Sequence, residues 1–306
     1  MFNFKTENLD PSFKIIGIGE IGCNTLNVMM EQNIEGFEFV QISSDLYTHD
    51  TDHTHTIIQL TDLPIKEGIN VLKEILKDTE MVIIISSLGD KSDSYAIFPL
   101  IKIARALNIL TISIATVPRN FAKNNLSHAK MIIKEFAKYT DSFFIIDTAK
   151  LLYQNTFNTP PIEFNNEIYY VLSWIISGMM IDIGAFTEPS VDLAAMHRYY
   201  NNKGQGAVGI GTGKGHKRDI TAIDRTVKSL RSQGYLFAHA ETILISITCG
   251  TDLRMKEMGN IIYKIFEAAS KDTDIIKNVL LDSEMNDEIR VVVCAIGLNA
   301  DAQWLV

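Results

Sequence analysis

MVIIISSLGDKSDSYAIFP, residues Met81–Pro99, decides how this chain folds. It opens on a continuous apolar run, passes through a polar turn and ends in the first turns of a helix. An apolar run without alternation is a strand covered on both faces, as in parallel sheets flanked by helices. Ligands of such sheets bind at the turns that follow the strands. This turn holds Gly89, Asp90, Lys91, Ser92, Asp93, Ser94 and Tyr95, a single glycine among charged and hydroxyl side chains.

The same pattern extends in both directions. KIIGIG (Lys14–Gly19), FEFVQIS (Phe37–Ser43), LTISIAT (Leu110–Thr116) and SFFIID (Ser142–Asp147) read as strands. CNTLNVMMEQN (Cys23–Asn33), IKEGINVLKEIL (Ile65–Leu76), YAIFPLIKIARAL and LSHAKMIIKEFAKY repeat apolar residues at helical spacing. Strands separated by helical crossovers predict an α/β fold with a doubly wound parallel sheet. After a loop at Thr156–Asn165, EIYYVLSWIISGMMIDI (Glu167–Ile183) is apolar nearly all round and predicts a long helix buried on most sides. A glycine-rich stretch, KGQGAVGIGTGKG (Lys203–Gly215), leads into helices DITAIDRTVKSLRSQ and MKEMGNIIYKIFEAAS and strands ETILISITCG, IIKNVLLD and EIRVVVCAIGL. The organisation expected is a doubly wound domain over 1–166, a central helix and connector over 167–189, and a smaller α/β domain over 190–306.

With 306 residues, 46% hydrophobic and 21% charged, the composition is that of a folded globular chain. The net charge of −9 argues against sequence-blind binding to nucleic acid or anionic lipid. Cys23, Cys249 and Cys294 lie far apart in apolar sequence and read as buried thiols of a reducing compartment. No signal-peptide core opens the chain, and the most apolar stretch is too short to span a bilayer, so a cytoplasmic location without membrane insertion is expected. HDTDHTHT (His49–Thr56) could offer ligands to a divalent ion, but it reads better as a polar loop.

In order and spacing, GIGEIGCNTLN, FEFVQISSD, LTISIATVPRNF, SFFIIDTAKLL, GAVGIGTGKG and ISITCGTDLRMKEM resemble the FtsZ branch of the tubulin/FtsZ superfamily. The resemblance covers nearly the whole chain. It implies a GTP-binding amino-terminal domain, a central helix and a carboxy-terminal activation-type domain. Members polymerise head to tail, a loop of the next subunit completing each GTPase site.

Carried over residue by residue, the former GTP site would include Gly17, Gly19, Gly22, Asn24, Gly89, Ser92 and Ser94. Gly17, Gly19 and Gly22 form G-x-G-x-x-G ahead of a helix, which suits a phosphate or, equally, close strand–helix packing. Where the family's phosphate turn is glycine- and threonine-rich, this one carries Asp90 and Asp93. A carboxylate about 4 Å from a phosphate charge costs on the order of 4 kcal/mol at an effective dielectric of 20. D-x-S-x-S spacing at Asp90, Ser92 and Ser94, with Asp93 between, could instead hold magnesium. The guanine-contacting asparagine of the family falls on Thr148, and a second base contact falls near Tyr169 or Tyr170. Its catalytic loop falls on Ser190, Asp192 and Ala195, leaving Asp192 as the remnant acid. Tyr199 and Tyr200 follow, as an exposed loop or a subunit interface.

Together these point to a cytoskeletal subunit of cell division that associates with itself or with another FtsZ-type filament. Little or no GTP hydrolysis and no cofactor are expected. The alternatives are a divergent GTPase using GTP and Mg2+, and a regulator that caps filaments.

Overall fold

The computed structural model describes residues 12–34, 37–43, 56–59, 64–89, 93–117, 126–153, 164–180 and 193–298. The chain divides into two compact units, one formed by Asn3–Ile145 with Tyr200–Gly204, the other by Ile146–Tyr199 with Gln205–Val306.

The first unit is built on β1 (Phe13–Ile18), β2 (Glu38–Ser43), β3 (Thr56–Gln59), β4 (Met81–Ser87), β5 (Leu110–Val117) and β6 (Ser142–Asp147). They lie in the order β3-β2-β1-β4-β5-β6. The pairs β1–β2, β1–β4, β2–β3 and β4–β5 are parallel. The edge strand β3 was hidden in the sequence behind the polar run that precedes it. Helices α2 (Ile65–Ile75), α3 (Ser94–Ala106) and α4 (Leu126–Tyr139) cover one face. There Leu72, Ile97, Leu100, Ile101, Ile132 and Phe136 bury Ile16, Ile18, Val82 and Ile84. Helix α1 (Gly19–Glu31) packs on β1, β2 and β4. The winding reverses between β1 and β4, so the turns after these two strands face each other at the switch point where doubly wound sheets bind ligands.

The second unit holds α5 (Thr148–Tyr153), α6 (Phe164–Met179), α7 (Leu193–Tyr200, ending at the boundary), β7 (Gly204–Lys214), α8 (Arg218–Ser232), β8 (Thr242–Cys249), α9 (Met255–Ala268), β9 (Asp274–Leu281) and β10 (Glu288–Ile296). Its sheet runs β7-β10-β8-β9, with β10 antiparallel to both neighbours and β8 parallel to β9. Helices α8 and α9 seal one face through Ala222, Ile223, Leu230, Ile261 and Ile265. Helix α6 lies on β8 and β10, with Gly178 against Val292 and Ser246.

The glycine-rich stretch is strand β7. Gly209, Gly211 and Gly213 share one face, where an added Cβ would fall 2.6, 2.3 and 2.0 Å from the carbonyl oxygens of Thr226, Ala222 and Arg218. Those glycines let α8 lie directly on the strand backbone.

Tyr199 and Tyr200 depart from the sequence reading. They end helix α7 and are buried, 7% and 0% exposed, in place of an exposed loop or interface. Tyr200 meets Phe144 edge-on, and its carbonyl accepts from the Ser142 hydroxyl at 2.7 Å. No described helix is long and apolar enough to cross a membrane.

Candidate functional site

At the switch point three glycines run from the end of β1 into α1, Gly17 in the strand and Gly19 and Gly22 in the helix, and each answers to a different neighbour. A Cβ on Gly17 would lie 2.5 Å from the carbonyl carbon and oxygen of Gly22. One on Gly22 would lie 2.6 Å from the Ile85 carbonyl oxygen. These two are fixed by the close approach of α1 to β1 and β4.

Gly19 opens α1 with φ +70°, a conformation that L side chains adopt only at a cost. A Cβ there would fall 2.4 and 2.6 Å from the two carboxylate oxygens of Asp93. Asp93 immediately precedes α3 and is 6% exposed. Its carboxylate, carried by the turn after β4, thus lies directly on the Cα of the glycine turn after β1.

The charge of Asp93 is felt nearby. Burial, and after it the Asp93 carboxylate, pushes the Cys23 thiol up to about 12, although weak contacts run from its Sγ to the carbonyls of Gly17 and Ile42 at 3.7 and 3.9 Å. Cys23, Cys249 and Cys294 are all free and buried. Glu20, in the first turn of α1, is exposed.

Of the other predicted positions, Ser94, Gly89 and Asn24 belong to the same unit as this contact. Ser94 follows Asp93 in the first turn of α3, and its hydroxyl pairs with His128 Nε2 of α4 at 2.8 Å. His128 had no marker in the sequence, where it is one polar residue in an amphipathic helix. The Gly89 N–H donates to Ser87 Oγ at 3.1 Å. Asn24 is half-buried in α1. Thr148 is buried at the start of α5, Tyr169 is buried in α6 and Tyr170 is 38% exposed, all in the second unit. Asp90, Ser92 and Asp192 lie outside the described residues, as do Ser190 and the His49–His55 loop. Among the described residues no group of three or more His, Cys, Asp or Glu side chains is placed to hold a metal.

A phosphate seated on the Gly19 turn would need the space and the sign of charge that Asp93 already supplies. The described residues therefore do not fit a phosphate there.

The carboxy-terminal part, residues 204–299, matches the family model described as FtsZ family, C-terminal domain. Over the whole chain the similarity is to curated proteins named cell division protein FtsZ. That of Buchnera aphidicola subsp. Baizongia pistaciae is 28% identical over 97% of this chain and 82% of its own length. That of Coxiella burnetii is 27% identical over the same shares. Among solved structures, an empty FtsZ dimer of M. jannaschii shares the fold with a TM-score of 0.83 at 21% identity, over 96% of this chain and 90% of that one. The GTPγS-bound protofilament form of CetZ2 from Haloferax volcanii matches with a TM-score of 0.68 at 11% identity, over 95% of each chain.

Proposed function

The chain belongs to the tubulin/FtsZ superfamily, and from that we propose that it is a filament subunit of FtsZ type that assembles with little or no GTP turnover. Relatives named for cell division support the cytoskeletal part of this reading. A dimer and a protofilament among the structural neighbours support association between copies, or with a second FtsZ-type filament.

The part concerning nucleotide rests on one observation, the Asp93 carboxylate lying on Gly19. At the switch point this chain provides its own anion. Backbone amides at the start of α1 favour negative charge whatever its source, so the turn and helix keep their geometry without a phosphate. The drift at Thr148, and at Asp90 beside Asp93, fits the same reading.

Two measurements test it. Pelleting of the purified protein should be the same with and without GTP and magnesium. Calorimetric titration with GTP should show no binding in the native protein and a gain of at least tenfold in Asp93→Gly, which removes the resident charge. GTP-dependent pelleting of the native protein, lost in Asp93→Asn, would overturn the reading in favour of a GTPase with a magnesium-bridged aspartate.

A further inference from the structure

Arg290 is a buried cation with no carboxylate in hydrogen-bonding contact among the described residues. It sits in β10, 8% exposed, with its guanidinium carbon 3.5 Å from the centre of the Trp174 ring on α6. Its Nε is sealed from solvent with no hydrogen-bond partner, and among the described residues no hydrogen bond or ion pair reaches the side chain. Glu288 and Asp282 act on it only through space, and the Asp282 carboxylate accepts from the Glu284 N–H instead. Thr212 of β7 and Thr248 of β8 flank it in register. On α6, Tyr170 tilts against Trp174 at 6.5 Å and is 38% exposed, so an aromatic pair runs from Arg290 out to the surface.

A guanidinium held 3.5 Å from the centre of an indole ring is fixed in position, and its terminal amino groups form a fork that matches a carboxylate. A charge this deeply buried ordinarily has a counter-charge. Arg, Trp and Tyr are also the residues that dominate binding at protein interfaces.

We propose that Arg290, Trp174 and Tyr170 form a docking site for an acidic segment of a partner protein. An Asp or Glu carboxylate of that segment takes the Arg290 fork, and an apolar side chain beside it lies on the Tyr170–Trp174 pair. The unpaired charge selects the carboxylate. The aromatic surface next to it selects a peptide segment over a free small anion. This site is separate from the glycine turn and does not rest on the nucleotide reading.

The chain has two tryptophans, Trp174 and Trp304, so in Trp304→Phe the emission reports Trp174 alone. Titration of that protein with an eight-residue peptide of alternating Glu and Leu should change the emission saturably. The same peptide with Gln for Glu should not. Arg290→Met should weaken the interaction at least tenfold. Because Met fills similar volume and removes a buried charge, that variant keeps its fold, which circular dichroism checks. Arg290→Lys, with the charge but not the fork, should fall between. Equal binding by Arg290→Met, equal binding of the Gln peptide, or no response to either peptide would overturn the proposal. An emission change that grows with protein concentration in the absence of peptide, and is lost in Arg290→Met, would overturn the separate partner and put a second copy in its place.

Discussion

Gly19 carries two constraints that substitutions can separate. Its φ of +70° costs any L side chain roughly 1–2 kcal/mol. The Asp93 oxygens, 2.4 and 2.6 Å from an added Cβ, impose overpacking on top of that, about 1–3 kcal/mol. Gly19→Ala should therefore destabilise by roughly 2–5 kcal/mol in urea unfolding. In an Asp93→Ala background the same change should cost only the backbone strain, about 1–2 kcal/mol. The resulting coupling, on the order of 1 kcal/mol or more, is a direct measure of the contact. Additive effects would mean that Asp93 does not rest on the turn in solution. The sequence marked both residues, Gly19 by its motif and Asp93 by its charge. It did not show that one sits on the other, because that contact is made only when the strand order brings two sequence-distant turns together.

Among the elements, two glycines predict opposite outcomes. On β7 a methyl at Gly211 would lie 2.3 Å from the Ala222 carbonyl oxygen and 2.6 Å from the Thr226 nitrogen, both backbone atoms of α8. Gly211→Ala should cost about 3 kcal/mol, because a helix rather than a side chain must move. Gly259 lies inside α9 with nothing within 4 Å of an added Cβ. Gly259→Ala should stabilise by roughly 0.5–1 kcal/mol through helix propensity and a less flexible unfolded chain.

The starts of α8 and α9 are tied by Arg218, which donates to Glu257 at 2.9 and 3.0 Å and to Asp252 at 2.7 Å. The Arg218 hydrogen bonds hold the Glu257 carboxyl below its ordinary value. A carboxyl with a lowered folded pKa adds stability above its unfolded value, about 4.3, and that stability is lost as the pH falls through the folded value. The native protein should thus lose stability between about pH 4.3 and the lower folded value more steeply than Glu257→Gln, as read by urea midpoints across that range. Parallel curves would show that the bond contributes nothing in solution. At this scale the sequence was a good guide wherever apolar residues repeat, as in β4 or α2. It failed at β7, whose strand is written in glycines that carry no β preference and whose reason lies in α8.

For the whole molecule, the division into two compact units predicts unfolding that depends on the probe. Cys23 is the sole cysteine of the first unit, and Trp174 belongs to the second. Alkylation of Cys23, whose thiol is buried and held protonated, should follow the first unit, and Trp174 emission, read in Trp304→Phe, the second. Urea midpoints from the two probes should differ. Coincident midpoints would show that the units unfold as one.

The order of strands and helices was legible in the sequence because parallel strands are long apolar runs and their crossovers are amphipathic. The contact of Asp93 with Gly19 was not, because it forms only when two sequence-distant turns are folded together.

The carboxylate on Gly19 also bears on time. A polymer whose subunits bind and hydrolyse nucleotide is driven, since each cycle injects free energy and lets one end grow while the other shrinks. Subunits in which Asp93 takes the place of the nucleotide, as proposed above, would have no such fuel. A filament made of them would be an equilibrium polymer, with the same critical concentration at both ends and no treadmilling. Its length and lifetime would be set by how much protein is present and by what else binds it.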